Sequence, residues 1–211
     1  MSPIRRKPRP LVRDTATFRD DRLFIVACDD TYAPEQYFGF FQIPRVRVHV
    51  EPTSDGTSAA EHVLKRLLQF DHEADDELWM LLDTDHYAQG THLAGFTRTL
   101  SEARRQGVHV ALSKPCFEVW LLLHRVDEKA VTGLERCKDV EDRLNAELRE
   151  YNKNNLKPHH YPLASVRSAC ERAAKLDITV AGGEIPAAST TRVYELVEDI
   201  LSGTKPWELP S

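Results

Sequence analysis

The feature of this sequence that most constrains its fold is an alternation of short apolar runs with amphipathic segments. Four runs have the length and composition of β-strands, at residues 22–27, 45–50, 77–82 and 108–112. Between them, apolar residues recur at helical spacing in three segments, at residues 35–41, 57–70 and 91–106. Strands that alternate with helices pair in parallel through right-handed crossovers. We therefore predict an α/β fold with a four-stranded, mainly parallel sheet and helices on both faces.

The regions that flank this core have a different character. Beyond residue 124 the sequence predicts helices at residues 136–150, 163–176 and 190–201. Three prolines near the start of the chain favour extended backbone there. We expect three parts: a basic arm at residues 1–20, an α/β core at 21–124 and a helical C-terminal extension, packed on the core, at 125–211.

Charge is distributed unevenly along the chain. The net charge of −5 argues against a protein that is basic throughout. The first thirteen residues nevertheless hold five basic side chains and no acid, at Arg5, Arg6, Lys7, Arg9 and Arg13. Such an arm is typical of contact with a polyanion, and a solubilising tail is the alternative. We predict nucleic-acid contacts for the arm and for Lys153 and Lys157, which lie in a polar loop.

The cysteines and the apolar runs bear on the cellular environment. None of the four cysteines stands in a CxxC pair, so neither a zinc knuckle nor a redox motif is indicated. We expect reduced thiols, two or three of them buried, in a cytoplasmic protein. The longest apolar runs are far too short to cross a bilayer, and no membrane association is expected.

Acidic residues follow two of the predicted strands. Asp29 comes after the first strand, and Asp83 and Asp85 come after the third. Ligands of open parallel sheets bind at the carboxyl ends of the strands, where these three carboxylates would converge. Oxygen ligands select Mg²⁺ or Mn²⁺, and such ions support phosphodiester hydrolysis. The pattern predicts Asp29, Asp83 and Asp85 as metal ligands and catalytic residues.

Other polar residues near the strand ends are candidates for a supporting role. Five are predicted to hold the metal ligands in place or to bind phosphate: Asp30, His86, Ser113, Lys114 and Glu118. The pair Lys114-Pro115 is expected to open a helix, whose free N–H groups favour a phosphate. The alternative is that Ser113 merely caps this helix. Thr57 or Ser58 is expected to cap the helix before the third strand. A structural role is expected for His124, where a helix end favours a cation.

Four segments together resemble the RloB-like family of Toprim proteins: IVACDDTYAPEQYF (25–38), LLDTDHY (81–87), SKPCFEVWLLLH (113–124) and STTRVYELVEDIL (189–201). The resemblance implies a Toprim-like fold, with a four-stranded parallel sheet, a catalytic glutamate after the first strand and a DxD after the third. It also implies a place in anti-phage defence beside an ATPase encoded nearby. The DxD falls on Asp83 and Asp85. The glutamate position falls on Asp29, which is one methylene shorter.

Three functional hypotheses follow. The first is a Mg²⁺-dependent Toprim nuclease that acts on tRNA, other RNA or DNA. The second is a catalytically degenerate subunit that docks an ATPase through the RVYELVEDIL helix. The third is a phospho-receiver-like module built on Asp29, Asp30, Asp83 and Lys114, in which the lysine follows the fourth strand instead of the fifth.

Overall fold

The fold is built around one sheet. The structure is a computed structural model and describes residues 21–53, 57–85, 87 and 92–202. Its strands are β1 (Arg22–Cys28), β2 (Val46–Glu51), β3 (Glu77–Asp83), β4 (His109–Lys114) and β5 (Thr190–Thr191). Its helices are α1 (Ala33–Gly39), α2 (Ala60–Gln69), α3 (His92–Arg105), α4 (Glu118–Leu123), α5 (Cys137–Leu148), α6 (Leu163–Thr179) and α7 (Val193–Leu201). Two short 3₁₀ turns are Glu128–Ala130 and Pro158–His160.

The strand order is β2-β1-β3-β4-β5. Strands β1 to β4 are parallel, so the predicted four-stranded parallel sheet is confirmed. The connection after β1 leads to β2 on one side and the connection after β3 leads to β4 on the other, so a crevice opens between the carboxyl ends of β1 and β3. This topology brings the ends of the first and third strands together.

The edge beside β4 differs from the prediction. Residues 190–201 were predicted as one helix, but Thr190 and Thr191 pair antiparallel with Lys114 and Ser113, and α7 begins only at Val193. The Oγ atoms of Ser113 and Thr191 lie 2.8 Å apart in a buried hydrogen bond. The prediction was wrong here because a tertiary pairing holds these threonines in a strand, which their branched side chains favour.

Two helix starts also differ from the prediction. Pro115 does not open a helix, since α4 begins at Glu118, and Ser113 belongs to β4. The N-cap of α2 is Ala59, without a side-chain hydrogen bond, so Thr57 and Ser58 do not cap it. Thr57 instead accepts hydrogen bonds from Arg66 through its carbonyl and its hydroxyl.

The core lies on both faces of the sheet because the strands are buried on both sides. Phe24 and Val26 of β1 pack in the cluster on one face, where α1 and α4 to α7 contribute. Ile25 and Ala27 face the other cluster, which α2 and α3 cover. Helices of the C-terminal region therefore share one core with the sheet. Within the residues that the structure describes, none of the helices is long and apolar enough to span a membrane.

His124, at the end of α4, is buried beside the sheet. Its Nε2 lies 3.0 Å from the Tyr37 hydroxyl and its Nδ1 lies 2.8 Å from Oγ of Ser165. Burial lowers the pKa of His124 to about 3, and the nearby Arg125 and Arg172 act in the same direction. The histidine is therefore neutral, and the expectation that a positively charged His124 would be favoured at this helix end was wrong. Its contacts join α1, α4 and α6.

We predict that His124 makes the stability of the protein depend on pH. Unfolding restores an ordinary histidine pKa, so below about pH 6.5 the unfolded chain binds more protons than the folded protein. The free energy of unfolding therefore decreases as the pH is lowered. Between about pH 7.5 and about pH 5.5, the wild type should lose about 1.4 kcal/mol more unfolding free energy than His124→Gln. Urea unfolding at the two pH values measures this difference. The exposed His72→Gln is the control and should follow the wild type; equal losses in all three proteins would contradict the prediction.

Candidate metal centre

Asp29 and Asp83 meet at the crevice between β1 and β3. Asp29 directly follows β1, and Asp83 is the last residue of β3. The backbone N–H of Asp83 donates a hydrogen bond of 3.0 Å to Oδ2 of Asp29. The Asp29 carboxylate thus points toward the DxD segment, because β1 and β3 are parallel neighbours and their carboxyl ends lie side by side. The shorter aspartate side chain spans the distance to β3.

The DxD segment is held by the end of β4. The N–H of Thr84 donates to the carbonyl of Ser113 at 2.9 Å, and that of Asp85 donates to the carbonyl of Pro115 at 3.3 Å. The Asp85 carboxylate turns toward the start of α5, where Sγ of Cys137 donates to Oδ2 at 3.1 Å. Backbone hydrogen bonds therefore hold the DxD segment against the end of β4, and the contact with Cys137 orients the carboxylate of Asp85.

The electrostatics of this cluster are those of negative charge withdrawn from water. The pKa of Asp29 is raised to about 8, mainly by burial; the hydrogen bond from Asp83 offsets part of the rise, and the charges of Asp30 and Asp85 add to it. Burial and the neighbouring Asp29 also raise the pKa of Asp83 well above its usual range. A cation beside these groups would stabilise their ionised forms.

The three aspartates do not form a closed ligand set. Within the part of the chain that the structure describes, the group of three metal-ligating residues whose ligand atoms all lie within 4.8 Å of one another is Glu150, His159 and His160. Oxygen donors on adjacent strand ends fit Mg²⁺ or Mn²⁺ once drawn together. Their role as metal ligands stays a prediction.

A second network borders the aspartates and joins Asp30, Glu118 and Lys153. Nζ of Lys153 lies 2.9 Å from Oδ2 of Asp30 and 3.8 Å from Oε1 of Glu118, whose side chain is almost completely buried. The Tyr151 hydroxyl donates to the same Glu118 oxygen at 2.9 Å. Burial alone would lower the pKa of Lys153, but Glu118 and Asp30 outweigh it and raise that pKa. Lys153 is thus a fixed positive charge at the border of the acidic cluster.

Asp30 has a second task at the start of α1. Its Oδ1 accepts hydrogen bonds from the N–H groups of Tyr32, at 2.6 Å, and Ala33, at 3.1 Å. Because the same carboxylate binds Lys153, it connects the end of β1 and the start of α1 to the loop after α5.

The remaining predicted site residues lie apart from this network or outside the described residues. Ser113 is buried against Thr191, and Nζ of Lys114 donates to the carbonyl of Ala187 at 2.7 Å. Lys157 is partly buried at the start of a 3₁₀ turn. Their proposed phosphate and nucleic-acid contacts stay predictions. Five basic arm residues and one histidine lie outside the described residues: Arg5, Arg6, Lys7, Arg9, Arg13 and His86.

Sequence reasoning missed several residues around the cluster. Cys137 was expected only as a reduced thiol; the structure leaves all four cysteines free and buries three, as predicted. Tyr151 carried no signal, because it reaches Glu118 across 33 positions of sequence. Arg66 lies behind β1, where Nη2 donates to the carbonyl of Cys28 at 3.1 Å and to Oγ1 of Thr53 at 2.6 Å. Helical spacing placed Arg66 on α2 without indicating this contact.

Comparison with known proteins identifies one relationship. The family model described as RloB-like protein matches residues 24–200. Neither a curated protein nor a solved structure matches the chain. The matched range includes β1, the DxD segment, α4 and the loop that carries Tyr151 and Lys153, and it covers most of the sequence. The chain belongs to the RloB-like family.

Proposed function

We propose that this protein is a nuclease that hydrolyses phosphodiester bonds of nucleic acid with the aid of Mg²⁺ or Mn²⁺. One observation carries the proposal: the Asp29 carboxylate lies against the backbone of Asp83 at the carboxyl ends of adjacent strands, in a half-buried acidic cluster. Family membership supports it. A divalent cation bound here would neutralise the phosphate and lower the pKa of a water molecule.

The side chains of the site would act in distinct ways. Asp29, Asp83 and Asp85 would supply the oxygen ligands. Cys137 would hold Asp85 in one orientation through the hydrogen bond from Sγ. Lys153 would offset the repulsion that a phosphate meets near Asp30 and Glu118, with 40% of its side chain exposed. A fixed charge that positions the substrate can raise the reaction rate although it takes no part in the bonds that break and form.

The substrate and the cellular role are proposed from the family resemblance and from charge. RNA, with tRNA as one case, is the substrate class that we favour, and DNA is the alternative. The basic residues of the arm and Lys157 would contact the sugar–phosphate backbone. The protein would act in the cytoplasm, in anti-phage defence, with an ATPase partner encoded nearby.

A degenerate subunit that docks an ATPase is the second candidate, because aspartate replaces the family's glutamate at position 29. The contact between Asp29 and Asp83 favours the nuclease, since the shorter side chain still reaches the DxD strand. A receiver-like module is less well supported. The strand order matches, but β5 is antiparallel and only two residues long, and Nζ of Lys114 donates to Ala187.

We predict that Asp83→Asn abolishes metal-dependent cleavage. Incubation with tRNA, single-stranded RNA and plasmid DNA, in Mg²⁺, Mn²⁺ or EDTA, measures the activity. Loss of a ligand should cost more than the roughly 100-fold that follows loss of an outer partner. The matched control is Asp75→Asn, at an exposed turn, which should cleave as the wild type does. Inertness of the wild type toward all three nucleic acids, combined with tight ATPase binding, would favour the degenerate subunit instead.

We predict that Cys137→Ala weakens Mn²⁺ binding by about 10-fold to 100-fold, because Asp85 loses the donor that orients it. Cys137→Ser retains a hydroxyl donor and should stay within a few-fold of the wild type. Titration of Mn²⁺ by calorimetry measures the affinity. The buried Cys170→Ala, on α6, serves as a control for the removal of a thiol elsewhere. Equal affinities for Cys137→Ala and the wild type would show that this contact does not position a ligand.

A further inference from the structure

The loop between α5 and α6 carries a second group of metal-ligating side chains. It begins at Arg149, which has left-handed backbone with φ of 62°, and it includes the 3₁₀ turn Pro158–His160. Glu150 lies near its start, and His159 and His160 lie near its end. The ligand atoms of these three residues all lie within 4.8 Å of one another, and Oε1 of Glu150 lies 3.8 Å from Nε2 of His160.

The donor set differs from that of the acidic cluster. Two imidazoles and one carboxylate suit Zn²⁺ and related first-row transition metals, whereas Mg²⁺ prefers oxygen alone. A tetrahedral ion with bonds near 2.1 Å sets its ligand atoms roughly 3.4 Å apart. The present group needs only a small closure to reach that spacing. Glu150, with 63% of its side chain exposed, and His159, also exposed, can change rotamer without disturbing the core.

His160 provides the fixed point of this group. It is 8% exposed, and its ring packs against His159 and Tyr161. Burial lowers the pKa of His160, and the charges of His159 and Arg125 act in the same direction. A neutral imidazole is the form that binds metal. Arg125 and Lys157 also repel a dication, so we expect moderate affinity.

The loop connects this group to the acidic cluster. Gln36 of α1 holds its middle, with Nε2 donating to the carbonyl of Lys153 at 3.0 Å and Oε1 accepting from the N–H of Leu156 at 2.9 Å. The same loop presents Tyr151 and Lys153 to Glu118 and Asp30. A link between its two ends would reduce the conformations open to this segment.

We propose that Glu150, His159 and His160 bind a Zn²⁺-class transition-metal ion that ties together the two ends of this loop. Three protein ligands leave the fourth tetrahedral position to water, which suits an exchangeable ion. The ion would lie outside the acidic cluster and would help to hold Tyr151 and Lys153 in place. Binding of the ion at this loop does not require the nuclease activity proposed above.

Calorimetric titration of the metal-free full-length protein with ZnCl₂, in excess Mg²⁺, tests the proposal. We expect one Zn²⁺ per chain at this loop, with affinity reduced at least tenfold in Glu150→Gln and in His159→Gln. Both changes are at exposed positions, and circular dichroism verifies the fold of each variant. His72→Gln controls for loss of a histidine elsewhere, and Asp83→Asn controls for the acidic cluster; both should keep the wild-type affinity for this ion.

Two further measurements locate the ion. Co²⁺ in place of Zn²⁺ should give the intense visible bands of a tetrahedral site without thiolate charge transfer. Zn²⁺ should slow hydrogen exchange of amides 151–157 in the wild type but not in His159→Gln. The proposal is overturned if no Zn²⁺ binds, if both loop variants keep full affinity, or if Asp83→Asn abolishes binding. Thiolate charge transfer would also overturn it, since a cysteine would then be a ligand.

Discussion

The structure depends on the withdrawal from water of several carboxylates at the carboxyl ends of β1 and β3. Burial of a charge is costly unless partners compensate it. The surrounding contacts supply part of that compensation: Asp83 donates its N–H to Asp29, Cys137 donates to Asp85, and Lys153 lies within ion-pair distance of Asp30 and Glu118. The raised pKa values of Asp29 and Asp83 show that this compensation is incomplete. A divalent cation is the simplest group that would complete it.

Much of the sheet could be predicted from the sequence because its determinants are local. Apolar runs of strand length define β1 to β4, and the position directly after a strand defines Asp29 and Asp83 as neighbours once the strands are parallel. These inferences need only periodicity and general rules of topology. The helical spacing along α5 and α6 likewise predicted both helices to within three residues at each end.

The parts that escaped prediction depend on contacts between distant positions. Cys137 reaches Asp85 across 52 positions, and Thr191 bonds Ser113 across 78. Local patterns carry no information about such pairs, so β5 was taken for the start of a helix. The same limitation hid the ion pairs of Lys153, for which only a nucleic-acid contact was predicted. These ion pairs, with Asp30 and Glu118, place Lys153 at the border of the acidic cluster, and its contact with nucleic acid stays a prediction.

The proposed chemistry follows from one claim: Asp29, Asp83 and Asp85 bind a single divalent cation. Anomalous diffraction from crystals grown with Mn²⁺ tests this claim most directly. We predict a Mn²⁺ peak within roughly 2.5 Å of carboxylate oxygens from all three aspartates, which must close together around it. A peak at Glu150, His159 and His160 alone, or a Mn²⁺ ion that Asp29 does not contact, would contradict it.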